Sequence, residues 1–310
     1  MKLIAHRGGA GLRVENTLAA FTNAIDLGAE GAELDVHLSR DGHVVVHHDD
    51  ALNPAYCRHA GGRWIASDEA LALSTLTHVQ MQDYDIGTPR PGTAYARHFD
   101  RIRAVPNQRI PLLREVIAAV QSRSTSFILV IEIKTPPLQA AHRPWRQLVD
   151  ATLEVVHATG FADRTILCSF DWGALRYAKQ CQPDLATWFT TSPKSWFVDA
   201  PPPASDIPPN ATELQGLREQ YRSGDAAWFA GFDPRRFGGS HARAIAAAGG
   251  NGWFPFHRDF TAGTASELEQ AGLDSAAWSV NLRDTTEFAR LAQTGLNHLA
   301  TDYPDMPVPA

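Results

Sequence analysis

The 310-residue chain has few cysteines, no excess of positive charge and no long apolar run. Its three cysteines, Cys57, Cys168 and Cys181, are odd in number and form no C-x-x-C. That spacing argues against a disulfide framework and against a zinc knuckle. Cys168 sits in the apolar stretch TILCSF and reads as a buried thiol. Lys and Arg number 28 against 34 Asp and Glu, a net charge of −6. Nucleic-acid binding needs a basic stripe, so no nucleic-acid partner is expected. The short basic clusters at Arg101–Arg103 and Arg235-Arg236 fall in loops. No stretch approaches the ~18 apolar residues of a membrane span. The longest apolar run, Phe127–Ile131, has the length of a strand. The start MKLIAHRGG is too polar for a signal peptide, so a cytoplasmic protein without membrane insertion is expected.

What the chain does have is alternation. Short apolar strands are predicted at Leu3–Ala5, Ala32–Val36, Ile128–Ile133, Thr165–Phe170, Ala186–Thr190, Trp253–Phe256, Ala276–Val280 and His298–Thr301. Helical patterns lie between them, which is the signature of βα units. Eight such units predict a single (β/α)8 barrel domain over residues 1–310. A further apolar patch, Ala226–Phe232, leaves the sixth strand ambiguous. Asn16 is a candidate N-cap for a first helix carrying Leu18, Phe21 and Ile25. Two Pro- and Gly-rich segments, at about 52–109 and 192–225, break the alternation and read as insertions. Loops that long inside a compact domain tend to be functional or disordered. The first is expected to cover the barrel mouth.

Chemistry concentrates at predicted strand ends. In GAELDVHLSRDGHVVVHHDD, Asp41-Gly42 between alternating apolar runs is a hairpin signal. With those two as the loop, Arg40 faces His43, Asp35 faces His48 and Glu33 faces Asp50. Glu33, Asp35 and His48 then share one face, and Leu34 and His47 the other. A bulge would exchange His47 for His48. In FILVIEIKT, Glu132 and Lys134 point the same way at the end of an apolar strand, where barrels carry their active sites. The first strand ends in AHRGG and adds His6 and Arg7. Carboxylate oxygens without cysteine suit a hard cation. A cation with Arg and Lys suits a phosphate, and two histidines suit acid–base work near neutral pH. His257, in FPFHRD at another strand end, is a further candidate for substrate contact.

The residues that carry these features resemble the glycerophosphodiester phosphodiesterase family. The likeness runs through His6-Arg7, Glu15-Asn16, Glu33-Leu34-Asp35, His48-Asp49, Ile110–Leu113, Glu132-Ile133-Lys134, Ser169-Phe170-Asp171, Trp278–Asn281 and Thr301–Pro304. Ser279 stands where the family pattern has threonine, and residues 192–233 match least. The resemblance implies a distorted TIM barrel with an insertion after the His-Asp motif. It implies one divalent metal ion on Glu33, Asp35 and Glu132, Mg²⁺ or Ca²⁺, with Mn²⁺ or Zn²⁺ as alternatives. It implies His6 and His48 as the acid–base pair, His6 as base and His48 as acid. Arg7 and Lys134 would bind the phosphate, Trp278 would line the glycerol side, and Glu15 and Asn16 would support the site. The expected reaction cleaves a small glycerophosphodiester to glycerol 3-phosphate and an alcohol. Two other readings compete: a phospholipase C- or D-like enzyme acting on lipids, and a barrel that binds without turnover. Trp64, Trp188, Trp196, Trp228 and Trp253 are the candidates for the aromatic rim that a lipid enzyme would need.

Overall fold

The computed structural model describes residues 1–142, 145–206, 208–280 and 285–307. Its strands are β1 (Lys2–Ala5), β2 (Gly31–Leu38), β3 (Val44–Val46), β4 (Arg58–His59), β5 (Tyr84–Asp85), β6 (Ile128–Ile133), β7 (Thr165–Ser169), β8 (Ala186–Thr191), β9 (Gly252–Pro255), β10 (Asp274–Val280) and β11 (His298–Thr301). The helices are α1 (Leu18–Asp26), α2 (His78–Met81), α3 (Ala94–His98), α4 (Leu113–Gln121), α5 (Arg146–Ala158), α6 (Trp172–Cys181), α7 (Ala211–Ser223), α8 (His241–Ala248), α9 (Ala262–Gln270) and α10 (Thr285–Gln293).

Strands β1, β2 and β6–β11 pair in parallel, and β1 meets both β2 and β11, so the sheet closes into a TIM barrel. All eight predicted strands are present. Each strand's alternation sorts its side chains into two layers. On β6, Leu129, Ile131 and Ile133 face the helices, while Val130 joins Ile4, Cys168, Trp188, Phe254, Ala276 and Ala300 in the barrel interior. The inward series on β6 continues with Glu132 and then Lys134. On β2, Leu34 joins the outer layer, leaving Glu33 and Asp35 inward. Register pairs Glu33 with Val130 and Asp35 with Glu132. The carboxylates therefore stand directly on an apolar plug that excludes water from below.

Two local expectations are corrected. The hairpin register is one residue off, because the loop holds three residues. Ser39 N–H donates to His43 O (2.9 Å) and Gly42 N–H to Ser39 O (3.0 Å), with Gly42 at φ +80°. A left-handed glycine closing a three-residue loop is a common hairpin solution. Val36 then faces Val46, and Asp35 O accepts from His47 N–H at 3.0 Å, so neither the Asp35–His48 nor the Glu33–Asp50 pairing forms. Asn16 is not the cap of α1. Thr17 is, accepting from Ala20 N–H, and Asn16 stands before it at φ +55°.

The patch at Ala226–Phe232 contains a 3-10 turn, Ala227–Phe229, rather than a strand. The first inserted segment builds its own apolar cluster from Leu52, Tyr56, Cys57, Ile65, Leu73, Met81 and Ile86, closed against Val14, Val45, Ile110 and Leu112. The second carries α7, which its weak periodicity had hidden. Among the described residues no helix is long and apolar enough to cross a membrane.

Candidate active site

A cavity of about 570 Å³ opens at the C-terminal ends of the barrel strands. His6, Arg7, Glu33, His48, Glu132, Lys134 and Trp278, singled out from sequence, all line it, as does Glu15. Glu33, Asp35 and Glu132 are buried and place one carboxylate oxygen each within 4.8 Å of one another.

Their surroundings set their charge. Burial, with the charge of Asp35, pushes Glu33 up to about 8. Burial works against Asp35 as well, but Lys134, His48 and Arg7 outweigh it and hold its pKa well below the ordinary range. Burial also raises Glu132, against the opposing pull of Lys134. Lys134 Nζ lies 2.9 Å from Asp35 Oδ1 and 3.0 Å from Glu132 Oε1. Apart from this ammonium, no group is within hydrogen-bonding reach of that buried Asp35 oxygen among the described residues. Asn16 holds the other oxygen, donating from Nδ2 to Asp35 Oδ2 at 2.8 Å. Three crowded, buried carboxylates with only one ammonium between two of them fit a hard divalent cation.

Arg7 adopts φ +50°, a conformation unusual for a side-chain-bearing residue. That turn aims its N–H at Glu33 Oε2 (3.0 Å) and its guanidinium at Glu15 Oε1 (2.9 Å). Glu15 thereby fixes the arginine and not His6.

Each histidine is oriented by a carboxylate on Nδ1. His6 Nδ1 is 2.7 Å from Asp302 Oδ1, and its Nε2 lies 3.8 Å from Glu33 Oε2. His48 Nδ1 is 2.8 Å from Asp49 Oδ1, and Asn53 donates to Asp49 Oδ2 at 2.6 Å. The His48 carbonyl is in turn 3.1 Å from His37 Nε2, which ties this residue to β2. The two rings feel opposite fields. Burial disfavours charge on His6, but Asp302, with help from Glu33, raises its pKa. Burial, Arg7 and Lys134 together lower that of His48.

His48 reaches the cavity where the chain leaves the ladder, one residue past His47, whose N–H makes the last bond across the hairpin to Asp35 O. His47 is fully buried against Tyr56, with ring centroids 5.7 Å apart. His257 is not brought to the cavity. It is buried beside β9 with Nδ1 2.6 Å from Glu287 Oε1.

The opposite wall is aromatic. Trp278 lies edge-on to Phe170 and Phe256, at 5.5 and 5.3 Å. Phe170, Thr190 and Phe254 line the cavity beside it, and Tyr95, His98, Phe99 and Trp196 line its rim. Of the five tryptophans considered for a rim, Trp196 alone is among the lining residues, whereas Trp188, Trp228 and Trp253 are buried. Asp49 and Asp302 stand in motifs of the family resemblance without an assigned role, and Asn53 in none. Asp302 follows the last strand, so the strand-end argument applied to His6 would have found it. Asn281 lies outside the described residues.

The glycerophosphoryl diester phosphodiesterase family model matches residues 6–306. The chain belongs to that family. A glycerophosphodiester phosphodiesterase of Caldanaerobacter subterraneus is 32% identical over 183 residues, 59% of this chain and 63% of that protein. A Silicibacter pomeroyi structure, provisionally classed as a glycerophosphoryl diester phosphodiesterase, aligns with TM-score 0.78 at 27% identity, covering 98% of this chain and 90% of that one. An Oleispira antarctica phosphodiesterase, solved with the product sn-glycerol-3-phosphate, shares the fold at TM-score 0.64 and 21% identity, over 98% of this chain and 94% of that one.

Proposed function

We propose that the protein hydrolyses glycerophosphodiesters to glycerol 3-phosphate and an alcohol, with His6 and His48 as the acid–base pair. The observation that carries this reading is one cavity holding two carboxylate-oriented histidines, Arg7 and Lys134 around three buried carboxylates. The product bound by the Oleispira phosphodiesterase supports the substrate class. Glu33, Asp35 and Glu132 would hold one divalent ion. When bound, such an ion polarises a non-bridging phosphate oxygen and lowers the pKa of a coordinated hydroxyl. Mg²⁺ or Ca²⁺ suits the all-oxygen donors.

Arg7 and Lys134 would offset charge on the phosphoryl oxygens. The glycerol 2-hydroxyl is the proposed nucleophile. One histidine takes its proton as the other protonates the departing alcohol, giving a cyclic phosphate. The roles reverse when water opens that ring. His6 is the proposed first base and His48 the first acid, each ring held through Nδ1 by a carboxylate, Asp302 and Asp49 respectively.

The test is hydrolysis of glycerophosphocholine with and without EDTA. Activity should vanish in chelator and return with added divalent ion. Full activity in chelator would sink the metal assignment. His48→Ala near wild-type turnover, with His47→Ala inactive, would sink the choice of His48.

A further inference from the structure

Residues 52–109 and 192–225, the two segments that break the βα alternation, converge on the same cavity. The first supplies Tyr95 and Phe99, and the second supplies Trp196. Both are braced from behind. Tyr95 packs between Tyr56 and Phe99, with ring centroids 5.0 Å from each, and Tyr56 is buried in the cluster of the first segment. The Trp196 indole N–H donates to Asp206 O at 2.9 Å. Asp206 is itself buried and accepts from Ser195 Oγ and Arg258 NH1, each at 2.6 Å. The Trp196 nitrogen is thus committed to the protein, and what the ring offers the cavity is its carbon faces. Behind these residues the wall continues with Phe170, Phe254 and Trp278. Of the acids lining the cavity near these rings, Asp49 is engaged by His48 and Asn53, and Glu15 by Arg7.

A substrate phosphate on Arg7 and Lys134 leaves its two ester arms to share the remaining space. We propose that Trp196, Tyr95 and Phe99 form the subsite for the leaving alcohol, and that they select a bulky head without hydroxyls, of the trimethylammonium class. The inference rests on the reaction proposed above. Aromatic faces attract a quaternary ammonium through their quadrupoles. A polyhydroxy alcohol placed between the Trp196 and Phe99 rings would give up hydrogen bonds to water and find mostly carbon in return.

The experiment compares kcat/KM of the metal-supplemented full chain on glycerophosphocholine, glycerophosphoglycerol and glycerophosphoinositol. The choline ester should lead the other two by about tenfold. Trp196→Ala and Phe99→Ala should each erase most of that ratio, chiefly through KM for the choline ester. Trp196→Phe, which keeps an aromatic face, should retain it. Thermal melts identify any variant that has lost its fold, and for such a variant the comparison passes to Trp196→Phe against Trp196→Leu. A wild-type preference for the inositol or glycerol ester would overturn the proposal. So would Ala variants that slow all three esters equally. Absence of turnover on every ester would instead strike the proposed reaction.

Discussion

On the β1, β2 and β6 side of the barrel mouth the inward side chains end in His6, Glu33, Asp35, Glu132 and Lys134. On the β7 to β10 side they end in Phe170, Thr190, Phe254 and Trp278. The same pleat and the same rise out of the same apolar plug build both sides. They differ in what each needs to stay in place. The charged side is a web in which every group is held by another: Asp302 on His6, Glu15 on Arg7, Asn16 on Asp35, Asp49 on His48. The aromatic side holds itself by packing, as Trp278 does between Phe170 and Phe256. Single changes on the charged side should therefore propagate into rate and metal affinity. Changes on the aromatic side should stay local and act on binding.

The sharpest break comes from the acid–base pair. His6→Ala or His48→Ala should lower kcat by about 10²–10⁴-fold with a smaller effect on KM. Steady-state kinetics on glycerophosphocholine would settle it, and a loss confined to KM would put both histidines in binding alone. Next is Asn16→Ala, which frees Asp35 Oδ2. Outer-shell partners of metal ligands typically contribute about 10–100-fold in affinity. Calorimetric titration with Mn²⁺ should find such a loss, and an unchanged affinity would return Asn16 to a purely local role. On the aromatic side, Trp278→Ala should raise KM by about tenfold, the scale of part of a buried aromatic's transfer energy, with kcat little altered. A fall in kcat comparable to that of the histidine variants would erase the distinction between the two sides.

This contrast also separates what could be read from the sequence. All eight barrel strands were legible, because an inward–outward pattern repeats on each and the helices between them have their own period. Glu33, Asp35, Glu132 and Lys134 followed from alternation near strand ends, where a pleat converts spacing directly into direction. His48 did not follow in the same way. The residue was right but the register was not, since Gly42 at φ +80° adds a third loop residue and shifts every pair by one. Its place in the cavity depends on the chain leaving the ladder one residue past His47, which no periodicity announces. Asn16 misled because asparagine serves both caps and left-handed turns, and which it does here depends on Asp35, nineteen positions away. Tyr95, Phe99 and Trp196 were out of reach for a simpler reason: loops carry no period, so only tertiary packing says where their side chains go. His257 shows the converse. A histidine at a strand end was a fair candidate, and Glu287 on a distant helix decides its place.

The smallest effect concerns the support beneath the aromatic side. His241 stacks on Trp253 of β9 at 4.5 Å and 16°. Burial first, and then the charge of Lys194, lower its pKa to about 3, against a weaker opposing pull from Asp233. The unfolded chain would titrate it near its ordinary value of about 6.5. Between those two values the unfolded state binds the extra proton, so this contribution to stability is complete above about pH 6.5 and drains away as pH falls. The slope from one such group is at most about 1.4 kcal/mol per pH unit. His241→Phe keeps an aromatic ring on Trp253 and removes the proton site. Thermal denaturation from pH 7 to pH 5 should then show a shallower fall in Tm than the parent. His37, His47 and His48 are also lowered by burial, so part of the slope should persist. Identical slopes in the two proteins would mean that His241 takes up its proton without disturbing the stack on Trp253.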